Sequence, residues 1–312
     1  MSPLWMAFLI LVFPGFAFTF AFAMAFAWID RKVTARVQWR VGPPFLQPIY
    51  DFVKLLGKEV IVPLGGAKVL FLLAPLLGLS AATLASTLVW QANLWPRPGR
   101  GFVGDLIVAV YLLTIPSLSV ILGGFASNNR VASLGSSREM KMILSYELPF
   151  IVALIVPIVN AGGSIRLGEI LLGQSAVSHP SGILAFIAAI LCMQAKLGLV
   201  PFDAAEAETE LMSGPFVEYS GAPLAAIRLT RSMMLFVMPV FLITVFWGGI
   251  TTEGGVLSVI VGSLKVLLLL VIVILLRNTS PRIRIDQAIR FFWGPFVTGM
   301  AVLAVVLSLL GA

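Results

Sequence analysis

The sequence predicts an all-α, polytopic membrane protein with about eight transmembrane helices in one integral membrane domain over residues 1–312. Of these residues, 59% are hydrophobic and only 11% are charged, and the mean hydropathy is +1.03. A soluble domain of average composition has about 25% charged residues. The apolar residues also occur in runs of about 18 or more, which is the length that a helix needs to cross roughly 30 Å of hydrocarbon.

The spans follow from these runs in chain order. The first, residues 3–28, is predicted to be a retained transmembrane helix, because no Lys or Arg precedes it and it exceeds the apolar core of a signal peptide. Five spans contain a proline, which indicates either kinked helices around internal cavities or only the general frequency of proline in membrane helices. The other predicted spans are 69–90, 102–124, 141–160, 183–200, 222–247, 255–276 and 291–311.

The basic residues predict the orientation of the chain. Lys and Arg concentrate in the loops after the first, third and seventh spans, which places those loops in the cytoplasm and both termini outside a prokaryotic cell membrane. In the first loop, residues 46–58 have Ile49, Phe52 and Leu56 at helical spacing. They predict an amphipathic helix on the membrane surface or under a partner. A shorter helix is predicted at 166–172.

Four carboxylates lie within eight residues, in a chain that has only 14 acids. If the segment is helical, Asp203, Glu206 and Glu210 share one face and Glu208 points away. One charge at the bilayer centre costs roughly 2.5–3.5 kcal/mol, so we expect these carboxylates to be hydrated, paired or partly protonated, with coupled titration. Such a cluster suits a proton relay or a charge-coupled switch, and the alternative is a solvated acidic loop.

Further charged residues are predicted to join this cluster. Glu218 follows the acidic run after a short loop, and Glu147 lies in the inner half of the fourth span. Arg228 and Arg231 lie three residues apart in the first turns of the sixth span. They are predicted either to meet the acids or to extend to the interface.

Two lysines lie within spans. Lys265 is midway through the seventh span, too far from either surface to reach it easily, which predicts an internal, paired or functional position. Lys196 is near the inner end of the fifth span, where an extension of the side chain to the interface is the simpler interpretation.

The loop from Arg36 to Pro44 alternates basic and polar residues before a Gly-Pro-Pro sequence. This pattern predicts a rigid basic ledge. Anionic lipid headgroups are the default ligand for such a ledge, and an acidic partner surface is the alternative.

Several classes of site are excluded. The chain has one cysteine, Cys192, and one histidine, His179, so it forms no internal disulfide and supplies too few ligands for an iron–sulfur cluster or a structural zinc ion. The sequence has no phosphate-binding glycine loop and no nucleophile–base arrangement, and its basic residues lie in loops that set topology rather than in a nucleic-acid patch. We therefore expect no catalytic residue, metal or cofactor in this chain.

Four blocks resemble the subunit-1 family of respiratory complex I and its relatives, the membrane subunit that joins the hydrophilic redox arm to the ion-pumping arm. The match extends over nearly the whole chain, and the eight spans agree with it. The blocks run from Arg36 to Glu59 (RVQWRVGP, LQP, KE), from Ser127 to Glu147 (SNNR, LG, YE), from Pro201 to Gly221 (PFDAAEAETEL, EYSG) and from Pro281 to Gln287 (PR, DQ).

The first block differs from the quinone-reducing members of that family. The Gly42-Pro43 pair is followed almost directly by Leu46-Gln47-Pro48, where those members have several additional residues. This short form is similar to the relatives in membrane-bound nickel–iron hydrogenases, formate hydrogenlyases and ferredoxin-dependent sulfur-reducing complexes. The resemblance implies ferredoxin as the electron donor and a hydrogenase-like large subunit and an iron–sulfur small subunit on the cytoplasmic face. It also implies antiporter-like membrane subunits, and iron–sulfur clusters with or without a nickel–iron centre in those partners.

The resemblance also implies roles for matching positions, whereas Lys265, Arg228 and Arg231 match no motif. The leading hypothesis is a non-catalytic coupling and anchoring subunit. The alternatives are a quinone-site subunit of a NADH- or ferredoxin-quinone oxidoreductase and a stand-alone cation or proton carrier. The implied coupling residues are Glu206, Glu208, Glu210, Glu218 and Glu147 with Asp203 and Asp51, and the predicted docking residues are Arg36, Gln38, Arg40, Lys54, Lys58 and Glu59.

Overall fold

The computed structural model describes residues 3–96, 103–206, 208–251 and 255–311, apart from the side chains of Glu208 and Thr209. All regular structure in these residues is helical, which confirms the predicted class. The helices are α1 Pro3–Leu11, α2 Phe16–Val37, α3 Gln47–Leu56, α4 Lys68–Leu94, α5 Asp105–Ala126, α6 Arg130–Asn160, α7 Leu167–Leu172, α8 Pro180–Lys196, α9 Glu208–Leu211, α10 Gly221–Phe246, α11 Gly255–Thr279, α12 Ile285–Trp293 and α13 Val297–Leu309.

Seven helical segments of the described chain are long and apolar enough to cross a membrane. An eighth is present if Leu167–Ser178 and Pro180–Lys196, which are bent by 104° relative to each other, form one span. The predicted number of spans is therefore confirmed. Residue 102, where the third span was predicted to begin, lies outside the described residues, and α5 begins at Asp105.

The first predicted span is two helices rather than one. It breaks between α1 and α2, around Pro14, whose ring nitrogen has no hydrogen to donate to a helix. The second part, α2, continues through polar residues to Val37, nine residues beyond the predicted end at residue 28. Asp30, on this extension, accepts two hydrogen bonds from Arg277 of α11, at 2.9 and 2.8 Å.

Helix α6 begins eleven residues before the predicted start of the fourth span. The Asn129 side chain caps it by accepting a hydrogen bond from the Val131 N–H at 2.8 Å, which satisfies a helix-end donor. Close to this end, Gly135 packs on the turn at Gly214–Phe216, where a Cβ would lie 2.6 Å from Pro215 Cδ. The 31 residues of α6 extend roughly 46 Å at 1.5 Å per residue, so the helix projects beyond a 30 Å hydrocarbon layer.

Three short helices, α3, α7 and α12, connect or precede the spans. The predicted amphipathic helix is confirmed as α3, and the short helix predicted at 166–172 is confirmed as α7. The last span was predicted as 291–311, but it is preceded by α12, which the sequence analysis missed. A signal was present in the sequence, because Ile285, Ala288, Ile289 and Phe292 are apolar and recur at helical spacing. In the structure, Ala288 and Phe292 are fully buried.

The core of the bundle is built around α10. This helix is the most deeply buried span, and 83% of its most apolar stretch lies inside the protein. It packs against α2, α4 and α8, while α4 packs along α5 and α6 packs along α8 and α13. The candidate site lies where α5, α6, α8 and α10 meet the segment that connects α8 to α10.

Candidate functional site

The acidic run is not one helix, which corrects the predicted shared face of Asp203, Glu206 and Glu210. Among the described residues, 203–206 form turns and only Glu208–Leu211 form a short helix, α9. Neighbouring carboxylates repel, and here each described one is instead bound by an arginine from a different part of the fold. The pairs are Arg282–Asp203 at 3.0 Å, Arg138–Glu210 at 2.7 Å, and Arg231–Glu206. The side chain of Glu208 lies outside the described structure.

These three pairs differ in environment. The Asp203 and Glu206 side chains are mostly buried, with 22% and 27% exposure, whereas Glu210 is 56% exposed. The hydrogen bond from Arg138 lowers the pKa of Glu210 below its usual range. Glu210 is therefore an ionised surface group, and the other two acids face inward.

A cavity with about 680 Å³ of empty space, part of it open to solvent, lies on the inner side of the run. Asp203 and Glu206 line it from the connecting segment, and Arg231 lines it from α10. The Arg231 guanidinium also lies over the Phe216 ring, 4.3 Å from its centroid. A cavity with these walls can admit water next to charged groups inside the bundle, which is what a proton path requires.

Glu139 also lines this cavity, and the sequence analysis missed it. It projects from α6 toward Ser117 of α5, with Glu206 and Arg231 close enough for their charges to act on it. The fourth span was predicted to begin at residue 141, so Glu139 was assigned to a loop.

Two prolines inside helices also line the cavity. They are Pro75 of α4 and Pro116 of α5.

The cavity leads to a buried ion pair. Lys196 lines it at the end of α8, and its Nζ donates to both carboxylate oxygens of Glu147, at 2.9 and 3.3 Å, and to the Thr114 hydroxyl at 2.9 Å. The Lys196 side chain has no exposed surface, so the expectation that it extends to the interface is wrong. The ammonium also lies 5.0 Å from the centre of the Phe150 ring, a cation–π contact.

The structure separates other predicted members from this cavity. Glu218 accepts a hydrogen bond from the Asn129 side chain at 2.5 Å, next to the start of α6. Asp51 of α3 binds Arg31 of α2 at 2.5 Å, and this hydrogen bond is the largest cause that lowers the pKa of Asp51. Arg228 lies in the same cleft as Asp51, so the two arginines of α10 have different surroundings.

Lys265 is not part of a chain of charges within the described structure. Its Nζ donates to the backbone carbonyl of Trp247, at the C-terminal end of α10, at 2.9 Å. It also lies 5.3 Å from the centre of the Trp247 ring. A cation at the carboxyl end of a helix is favourable because it meets the negative end of the helix dipole.

The predicted docking residues lie on an exposed surface. The ledge is tied to α2 by two hydrogen bonds, from Lys32 Nζ to the Val41 carbonyl at 2.9 Å and from Trp28 Nε1 to the Pro43 carbonyl at 3.3 Å. Trp39 is 97% exposed on this ledge. The exposed predicted docking residues are Arg36, Gln38, Arg40, Lys54, Lys58 and Glu59.

Comparison with known proteins agrees with this architecture. The family model for NADH dehydrogenase matches residues 8–309. The H subunit of NADH-quinone oxidoreductase from Thermomicrobium roseum is 37% identical, with 85% of this chain and 84% of that protein aligned, and the protein of the same name from Dehalococcoides mccartyi is 32% identical, with 94% and 84% aligned.

Among solved structures, the fold is similar to a chain of the membrane-bound sulfane sulfur reductase (MBS), an archaeal respiratory membrane complex. The TM-score is 0.82 and the identity is 28%, over 94% of this chain and 96% of that chain. The four sequence blocks, the helical bundle and these matches agree, and the chain belongs to the NADH dehydrogenase family of membrane subunits.

Proposed function

We propose that this chain is the membrane-embedded coupling and anchoring subunit of an ion-translocating redox complex. The observation that carries the proposal is the single cavity lined by Asp203, Glu206, Glu139 and Lys196. Lys196 in turn holds Glu147 inside the bundle. Ionisable groups therefore continue from the solvent side of the connecting segment to the middle of α6.

The physical basis of coupling is the change of charge in this cavity. When Glu206 takes up a proton, the negative charge that holds Arg231 is lost, and the positive charge of Arg231 then acts on Glu139 in the same cavity. Charges in a poorly hydrated interior interact more strongly than charges in water. A redox event in a partner thus reaches the Lys196–Glu147 pair through proton positions, and neighbouring antiporter-like subunits move H⁺ or Na⁺ in response.

The anchoring role rests on the exposed ledge. Arg36 and Arg40 surround Trp39, which is almost fully exposed, and Val41 is 77% exposed. An exposed aromatic residue among arginines is typical of a protein interface, where Trp and Arg contribute most of the binding energy. The ledge therefore suits an acidic partner with an apolar pocket.

The proposed partners rest on the resemblance of the four sequence blocks, and the similarity to a chain of a multi-subunit complex supports them. The similar sulfane sulfur reductase is a respiratory membrane complex, and the short first loop favours that group. The proposed cytoplasmic partners are a hydrogenase-like large subunit and an iron–sulfur small subunit that hold the redox centres, with ferredoxin as electron donor. The distribution of basic loop residues predicts that the ledge is cytoplasmic and that both termini lie outside a prokaryotic cell membrane.

The coupling role is tested by replacing Glu206 or Glu210 with Gln in the purified complex reconstituted in proteoliposomes. We expect assembly to persist and E206Q to reduce ion movement per electron. Because Glu210 lies outside the cavity lining, E210Q should reduce it less. The exposed Asp286→Asn is the matched control, because Asp286 lines the same surface pocket as Glu210 but not the cavity. Unchanged ion movement in both glutamine variants contradicts the relay.

The anchoring role is tested separately with Arg40→Ala. Loss of this charge weakens docking of the soluble arm, and the arm dissociates at lower salt concentration than in the unaltered complex. The measurement is the salt concentration at which size-exclusion chromatography separates the arm from the membrane part. Retention of the arm at high salt in R40A excludes the ledge as the docking surface.

A second function, a quinone-site subunit, is favoured by one observation: the sequence relatives named above are subunits of NADH-quinone oxidoreductases. Extraction of the purified complex and measurement of bound quinone distinguishes the two. Mass spectrometry of the same sample identifies the partners, and a large subunit with two Cys-x-x-Cys pairs indicates a hydrogenase. A chain that purifies alone favours a stand-alone carrier instead.

A further inference from the structure

The sequence EYSG, which ends at the first residue of α10, holds three other parts of the chain together. Glu218 accepts a hydrogen bond from the Asn129 side chain at the start of α6, at 2.5 Å. The Ser220 hydroxyl donates to the Glu59 carbonyl, in the loop after α3, at 3.2 Å. Tyr219, between these two residues, is buried and reaches α4.

Helix α4 lacks one of its backbone hydrogen bonds in its second turn. In an α-helix each N–H donates to the carbonyl four residues earlier, and Pro75 has no N–H to donate. The carbonyl that loses this donor belongs to Phe71, which is 1% exposed. A buried carbonyl in a membrane-spanning helix needs a donor from a neighbouring group, because an unsatisfied one is costly.

The Tyr219 hydroxyl supplies that donor. It donates to the Phe71 carbonyl at 3.0 Å, and the two rings stack with 4.1 Å between their centroids. Gly123 of α5 makes room for it, because a Cβ at Gly123 would overlap the hydroxyl oxygen. Burial raises the pKa of Tyr219 well above its usual range, so the hydroxyl stays protonated and able to donate.

The turn that this hydrogen bond supports is part of the cavity wall. Pro75 lines the cavity together with Glu139 and Glu206. Without the hydroxyl, the Phe71 carbonyl has to take a donor from water or from a shift of the helix. Either change alters the wall next to the two carboxylates and the water that the cavity holds.

We infer that Tyr219 is a positioning residue of the coupling site, whose hydroxyl holds the Pro75 turn of α4 in place at the cavity wall. The inference rests on the proposed function, because the shape of the wall affects activity only if the cavity acids couple redox chemistry to ion movement. Tyr219 acts through the Phe71 carbonyl and transfers no proton itself.

Tyr219→Phe tests the inference, since it removes the hydroxyl and keeps the stacked ring. We expect the complex in proteoliposomes to retain electron transfer but move fewer ions per electron, and to unfold at a temperature a few degrees lower. Tyr111→Phe, at a tyrosine of α5 that is 64% exposed, is the matched control and should change neither quantity. Equal effects in Y219F and Y111F overturn the inference.

Pro75→Ala separates the hydrogen bond from general packing. It restores a backbone N–H to the Phe71 carbonyl, so the hydroxyl is no longer required there. Adding Y219F to P75A should therefore change the ion-to-electron ratio and the unfolding temperature far less than Y219F does in the unaltered complex. If Y219F lowers the unfolding temperature equally with and without Pro75, the hydroxyl does not act through that carbonyl and the inference is wrong.

E206Q in the same assay distinguishes failure of the inference from failure of the proposed function. If E206Q lowers the ion-to-electron ratio and Y219F leaves it unchanged, the positioning role is wrong and the proposed function stands. If E206Q leaves the ratio unchanged, the proposed function fails and the positioning role fails with it. The unfolding temperatures of the Tyr219 and Pro75 variants then decide only whether the hydroxyl supports the α4 turn.

Discussion

Two ion pairs of similar length differ in how deeply they are buried. Lys196 and Glu147 are 2.9 Å apart, and their side chains are 0% and 19% exposed. Arg138 and Glu210 are 2.7 Å apart, and their side chains are 33% and 56% exposed. The two pairs have similar distances but differ in the cation and in their surroundings, since the ammonium of Lys196 also contacts the Thr114 hydroxyl.

The difference in burial decides whether stability alone explains each ion pair. Taking a lysine and a carboxylate out of water costs several kcal/mol per ion, and well-packed apolar replacements of a buried pair are often as stable or more stable. The Lys196–Glu147 pair is therefore poorly explained by stability. Its contact with the cavity gives a functional reason for charges at that depth. The Arg138–Glu210 pair needs no such reason, since water solvates both of its members.

The largest expected effect on stability comes from removing one member of the buried ion pair. Lys196→Ala leaves Glu147 with only the Thr114 hydroxyl among its described partners, because Thr114 also donates to Glu147 at 2.9 Å. An uncompensated buried charge costs about 3–5 kcal/mol. Thermal unfolding of the complex in detergent should occur at a lower temperature.

The control for that variant removes both charges. Lys196→Met with Glu147→Gln leaves no unpaired ion, so it should unfold close to the unaltered complex while ion movement is lost. If the single and double variants are equally unstable, packing rather than charge explains the pair. If the double variant still moves ions normally, the pair has no part in coupling.

An intermediate effect is expected for close packing at the start of α6. Gly135→Ala places a methyl group 2.6 Å from Pro215 Cδ and 2.9 Å from Gly214 Cα. Overpacking of this kind costs about 1–3 kcal/mol. The thermal unfolding temperature of the complex in detergent should fall, but by less than in K196A. Leu134→Ala, at an exposed position beside it, is the control. An unchanged unfolding temperature in G135A would show that this contact relaxes freely.

The smallest effect concerns the surface pair, and it depends on pH. Because the folded-state pKa of Glu210 is lowered, its contribution to stability is present above the ordinary pKa near 4.5 and is lost as pH falls through the lowered value. Arg138→Gln should return the pKa of Glu210 toward 4.5. Infrared titration of the carboxyl band, with E210Q to assign it, measures the shift. A Glu210 pKa that is the same with and without Arg138 contradicts the assignment.

Much of the fold was predictable, because apolar runs and loop charges depend on local composition. The eight spans, α3 and α7 follow from length and periodicity alone. The start of α6 could not be predicted in this way, because its first turns are polar and resemble a loop. The Asn129 cap and the contact with the turn at Gly214–Phe216, which the structure shows, identify it as helix.

The site was predictable in its residues but not in its pairing. The acidic run identified Glu206 and Asp203, and the proximity of Arg231 in sequence suggested its contact. The run was nevertheless expected to be one helix, because spacing cannot show that arginines from distant segments separate the carboxylates. The roles of Lys196 and Glu139 depended on contacts between helices, which no single segment reveals.

The central claim is that the cavity acids couple redox chemistry to ion movement, and Glu139 tests it most directly. The measurement is the number of ions moved per electron by the complex in proteoliposomes, compared for the unaltered protein, Glu139→Gln and the surface control Asp286→Asn. The account predicts continued electron transfer with a reduced ion-to-electron ratio in E139Q and an unchanged ratio in D286N. An unchanged ratio in E139Q would contradict it.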